Sequence, residues 1–114
     1  MINTCIVLVA RLVRFYSEHD ESAFFQWLDK IPCITRYRGE GDAVYIDVVR
    51  SKVDDNSLRE MLALFFRYGV DIQQLAVFES AANRGWFSDP KSYWFDKLYE
   101  KQAKGARLEP PREL

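Results

Sequence analysis

Histidine occurs once, cysteine twice and glycine five times in the 114 residues, and neither sign of charge prevails. Sixteen Lys and Arg stand against seventeen Asp and Glu, a formal net charge of -1. That balance argues against a general nucleic-acid binder, which would carry a basic surplus. Two cysteines, Cys5 and Cys33, are too few for a disulfide framework. Their apolar neighbours predict buried, inert thiols. The single histidine, His19, lies among Glu18, Asp20 and Glu21, which read as helix-start charges rather than metal ligands. No long hydrophobic run is present. The apolar stretch Cys5 to Ala10 has no positive segment before it and is interrupted by Arg11 and Arg14. It reads as a strand, not a signal peptide or membrane span, which makes a cytoplasmic location the expectation. Gly39 and Gly41 flank acidic residues and precede a strand, the wrong context for a phosphate loop. No convincing catalytic set emerges, so the chain is not expected to be an enzyme. Neither metal nor cofactor, and no membrane or direct nucleic-acid partner, is expected.

What is abundant is apolar and aromatic: 48% hydrophobic residues and 15% Phe, Trp and Tyr. A chain of this length buries enough surface for one core without staples. Residues 1–103 therefore read as a single α+β domain and 104–114 as a flexible C-terminal tail. Thr4 to Tyr16 has the composition of a strand, and its continuous apolarity suggests a central one. Asp20 can cap a helix whose stripe is Phe24, Trp27, Leu28 and Ile31, ended by Pro32. Cys33 to Arg38 and Ala43 to Arg50 read as two strands joined by the turn Gly39-Glu40-Gly41-Asp42. In the second of them Val44, Ile46 and Val48 share one face, Tyr45 and Asp47 the other.

Ser57-Leu58-Arg59-Glu60 has the capping-box pattern and opens a helix with the stripe Leu58, Met61, Leu62 and Phe65. Gly69 suits its left-handed C-terminal cap. Gln74 to Phe78 reads as a fourth strand. The order is that of the ferredoxin-like split βαβ (βαββαβ) arrangement: an antiparallel sheet with both helices on one face. Asp89-Pro90 then reads as the start of a C-terminal helix carrying Trp94, Leu98 and Lys101. Such a helix is too apolar to stand alone, and the core is its expected destination, with Trp86 and Tyr93 left for a partner.

Six carboxylates suggest an acidic rim: Glu40 and Asp42 in the hairpin, Asp47 on the third strand, and Asp54, Asp55 and Glu60 at the next helix. Together they could meet a basic partner, where charge speeds encounter and selects the partner. Tyr45 could stack on a base, as in RNA-recognition domains, but Asp47 beside it would repel phosphate.

ALFFRYGVDIQQLAVF followed by GWFSDPKSYWFDKLY, with FYSEHDESAFFQWLDKIPCI and GEGDAVYIDV upstream, resembles small bacterial immunity proteins of contact-dependent growth inhibition and related polymorphic toxin systems. The likeness covers most of the chain up to Lys104. It implies a toxin inhibitor that binds the C-terminal toxin domain of a neighbouring cell's effector one-to-one, occluding the basic active-site region of a nuclease. A non-catalytic ferredoxin-like module that binds a small ligand or dimerises is the alternative. The residues expected to contact a partner are Glu40, Asp42, Tyr45, Asp47, Asp54, Asp55, Glu60, Trp86 and Tyr93.

Overall fold

The structure, a computed structural model, describes residues 5–99. The predicted tail at 104–114 and Lys101 lie outside them. The chain divides into two compact units, Met1–Asp71 and Ile72–Leu114.

In the first unit, β1 (Cys5–Arg11), β2 (Ile34–Glu40) and β3 (Ala43–Val49) form an antiparallel three-stranded sheet in the order β1-β3-β2. The central strand is β3, so the expectation that the apolar N-terminal strand is central is corrected: β1 lies at the edge. It is also shorter than the apolar run implied. Leu12 leaves the strand with φ 54°, in the left-handed region, and its N–H donates to Asp42 O at 2.8 Å. The turn between β2 and β3 rests on Gly41, whose φ of 60° a side chain would resist. Register opposes Leu8, Ile46 and Tyr37 on one face, and Val7, Asp47 and Arg36 on the other. Leu8, Ile46 and Val48 are fully buried.

Helix α1 (Glu18–Asp29) begins one turn earlier than Asp20 suggested. Ser17 is the cap, accepting from Asp20 N, while Asp20 Oδ2 reaches back to Tyr16 N at 3.0 Å. The carboxylate thus serves as the far half of a reciprocal cap. Ser17→Ala is expected to cost about 1 kcal/mol, lowering the melting temperature by roughly 4–8 °C. An unchanged melting curve would show that Asp20 caps alone. Phe24, Leu28 and Ile31 are buried as the stripe required, whereas Trp27 is only half-buried.

Helix α2 (Asp55–Tyr68) also starts earlier than its sequence pattern indicated. Its cap is Asp54, whose carboxylate accepts from Ser57 N at 2.8 Å. Ser57 therefore occupies the third helical position and Glu60 is released from the capping-box role. Leu58, Met61, Leu62, Leu64 and Phe65 are buried, and Gly69 closes the helix at φ 71° as expected. Phe15, Phe24, Phe25 and Tyr68 form an aromatic cluster with ring centroids 4.9–6.2 Å apart, uniting the start of α1 with the end of α2. Tyr37 of β2 stacks on Phe25 and donates to Asp29 Oδ1 at 2.8 Å.

In the second unit the predicted fourth strand is a 3₁₀ helix, Ile72–Phe78. Its buried side chains are Ile72, Leu75 and Phe78, spaced by three, which is the repeat of a 3₁₀ turn and not the alternation of a strand. The short helix α3 (Arg84–Phe87) follows, entered through a reciprocal pair in which Ser80 N donates to Asn83 Oδ1 and Asn83 N to Ser80 Oγ. Asn83 is buried and its amide also donates to Phe78 O.

The helix expected from Asp89-Pro90 is displaced: residues 95–99 are helical, and Asp89 instead closes a turn by accepting from Lys91 N. Asp competes for nearby backbone donors in this way and so marks turns as readily as helix starts. Trp94 and Leu98 are buried, as the core reading of that segment required.

Ionisation bounds the pH range of this fold. Donation from Ser57 N holds the Asp54 carboxyl below its ordinary range. That contribution is present above the unfolded pKa and is lost as pH falls through the folded one. On the alkaline side, Tyr37 is raised above its ordinary 10.0, first by its hydrogen bond to Asp29. Tyr68 is raised above the same value, first by burial, and burial also raises the Cys33 thiol above 9.0. Raised folded values contribute fully below the unfolded pKa and vanish as pH climbs through them. The melting temperature should thus fall from about pH 9 upward; a flat profile to about pH 11 would contradict these assignments.

Candidate functional site

The nine residues expected to face a partner do not form one surface. Glu40 and Asp42 sit at the hairpin end of the sheet. Asp54 and Asp55 follow the opposite end of β3, about 20 Å away for seven residues of strand. Between them, Asp47 is mostly buried and held by its neighbours on β2. Arg36 Nε donates to its Oδ2 at 2.8 Å, and Arg38 Nη1 lies 3.8 Å from Oδ1. The Arg38 guanidinium also covers the Tyr45 ring at 5.1 Å and lies 3.6 Å from Glu40. Two arginines thus offset two carboxylates on the open sheet face, so Tyr45, Asp47 and Glu40 there form a neutral patch rather than an acidic one. Asp54 is committed to capping α2.

Trp86 and Tyr93 belong to the second unit, where both pack edge-on against Trp94, at 6.0 and 4.8 Å between centroids. Tyr93 is 52% exposed and Trp86 half-buried. Contrary to the expectation of two buried thiols, Cys5 is exposed and only Cys33 is buried. At an edge strand the outward face meets solvent even when the sequence is apolar. His19 is exposed on α1. Among the described residues no group of three or more His, Cys, Asp or Glu is arranged to hold a metal ion, and no helix is long and apolar enough to cross a membrane.

One of the nine, Glu60, lines a cleft between α1 and α2 with a volume of about 570 Å³. Ala23, Gln26 and Trp27 line it from α1, with Lys30 and Ile31 just beyond that helix; Asn56 and Glu60 line it from α2. The helical repeat explains the set, since positions 23, 26, 27 and 30 share one face of α1 and 56 and 60 one face of α2. Glu60 reaches across: its Oε1 accepts from Trp27 Nε1 at 2.8 Å. This bond fixes the indole and the carboxylate side by side, the one giving an apolar wall and the other a charge. Gln26 is steadied by donating to Ser22 Oγ at 2.9 Å. Asp55, exposed, precedes Asn56 on α2 but does not line the cleft. The arrangement holds no nucleophile paired with a base; it offers recognition, with one anion, one cation, two amides and an indole.

Of these residues, the sequence singles out Glu60 and places Trp27 and Ile31 in the apolar stripe of α1. The signal for the others was present in a second stripe on α1, offset from the apolar one and mixing Trp with Gln and Lys. A side chain with both an apolar body and a polar tip at the margin of a stripe is a candidate for a wet boundary.

No family model, curated protein or solved structure matches the chain.

Proposed function

We propose that the protein is a binding module of the immunity type, which neutralises a cognate toxin domain by covering its basic active-site region inside the cell. The observation that carries this reading is the α1–α2 cleft, where Trp27 and Glu60 are held together at 2.8 Å. An aromatic anchor joined to a carboxylate in a concave, partly desolvated site is the pairing that favours a basic protein surface. The sequence resemblance to immunity proteins points the same way. The order β-α-β-β-α with sheet order β1-β3-β2 supports placing the first unit on the split βαβ, ferredoxin-like plan, with no strand at Ile72–Phe78 to complete it.

Co-expression tests the function. A large secreted effector is expected to be encoded beside this gene; its C-terminal domain should arrest growth, and this chain should restore it. Arrest that persists with the chain folded and abundant sinks the proposal.

The second reading, a small-ligand-binding module, is favoured by the cleft's volume, which falls in the range of small-molecule pockets. A bound metabolite released on denaturing the protein purified from its own cells would decide for it.

A further inference from the structure

We propose that the α1–α2 cleft is a receptor for a single arginine side chain presented by a protein partner, with the guanidinium stacked on Trp27 and paired to Glu60. The inference rests on the protein-binding reading and names the chemistry by which the partner is selected.

Three observations carry it. Glu60 uses Oε1 to accept from the indole N–H of Trp27, which leaves Oε2 to accept from a second donor. The same bond sets the indole against the carboxylate, so a flat cation can meet the ring face and the charge at once. Guanidinium is that cation: planar, weakly hydrated, able to stack on an aromatic face while its fork of donors reaches a carboxylate. Finally, Gln26 and Asn56 line the same cleft. Their side-chain amides each donate and accept, the complement of the peptide groups flanking an arginine within a chain.

Lys30, the remaining charge in the lining, gives the site direction. As the C-cap of α1, one turn beyond Trp27, it repels a cation placed against it, so the guanidinium is held from the Glu60 side. An acidic residue near the arginine would be drawn to it. The expected ligand is therefore an arginine in a peptide context, not a free anion and not a purely apolar side chain.

The test uses the full chain and a small probe, so it needs no toxin. N-acetyl-arginine amide is titrated at low salt while the indole N–H signal of Trp27 is followed by nitrogen–proton correlation spectroscopy. The Trp27→Phe variant identifies that signal among the three tryptophans. N-acetyl-citrulline amide, a neutral probe of almost the same shape, is the control. Saturable movement of the Trp27 signal is expected with arginine at millimolar concentrations, and much weaker movement with citrulline.

Glu60→Gln keeps an acceptor for the indole, so the fold is retained, and should weaken arginine binding about fivefold, the size expected of one half-exposed ion pair. Lys30→Gln should tighten it. Equal response to both probes, movement confined to the signals of Trp86 and Trp94, no saturation, or no effect of Glu60→Gln would each overturn the proposal. Failure here with growth protection intact would leave the immunity function standing with its contact elsewhere. Probe binding without protection would leave an arginine receptor with a different partner.

Discussion

Replacing Trp94 by alanine is expected to cost about 3–5 kcal/mol of stability, among the largest losses any single substitution in this chain should produce. The indole is 7% exposed and its N–H donates to Phe87 O at 2.7 Å. Trp86 and Tyr93 meet it edge-on, the favoured arrangement for rings whose faces are negative and edges positive. Alanine would leave a cavity flanked by those two rings and strand the carbonyl of Phe87 without its donor, so transfer, packing and hydrogen-bond losses all have the same sign. Denaturant unfolding of the purified variant measures the effect. A loss under about 1 kcal/mol, together with weakened partner binding, would instead make Trp94 an interface anchor and the segment Gly85 to Lys101 a docking surface.

Phe24→Ala should be comparably damaging, again about 3–5 kcal/mol. Phe24 is fully buried on α1 and lies at the centre of the aromatic cluster, with centroids of Phe15, Phe25 and Tyr68 at 5.4, 5.1 and 4.9 Å. It therefore ties the loop after β1, its own helix and the end of α2 together. Phe24→Leu, which keeps much of the volume but not the ring edges, should recover most of the loss. Recovery of less than half would mean that ring geometry outweighs filled space at this site. The expectation rests on packing, since hydrophobic swaps of similar volume usually cost under about 1.5 kcal/mol.

These two residues also show how far the sequence could be read. Phe24 and Trp94 announced their burial through spacing: Phe24 recurs with Leu28 and Ile31 at helical intervals, and Trp94 with Leu98. Gly69 and Gly41 announced their backbone angles because few other residues tolerate positive φ. Where two patterns competed, the sequence was less decisive. Asp54 and Ser57 are both good caps three residues apart, and the backbone chose the earlier, which lengthened α2 and freed Glu60 for Trp27. Ile72, Leu75 and Phe78 fit a short strand by composition but a 3₁₀ helix by spacing, and in a run this short only tertiary context decides.

The site is harder to read than the fold because charges that neighbour one another along the chain need not neighbour one another in space. Strand β3 separates Asp42 and Asp54 to opposite ends of the sheet, while the arginines of β2 offset Asp47 between them and Glu40 at the hairpin end. Which side chains meet across the hairpin follows from a register that the turn sets and the irregularity between Ile34 and Arg36 shifts. Trp27 was hidden for a related reason: its position in an apolar stripe placed it in the core, and only the approach of α2 reveals that its polar tip meets Glu60.

The most direct measurement is recovery of the tagged chain from its own cells, with the co-purifying species identified and counted by mass spectrometry. Toxin neutralisation requires the C-terminal domain of a large secreted effector at a one-to-one ratio, lost or weakened when Glu60 and Asp55 carry reversed charge. A chain recovered alone, even with the neighbouring genes co-expressed, would contradict it.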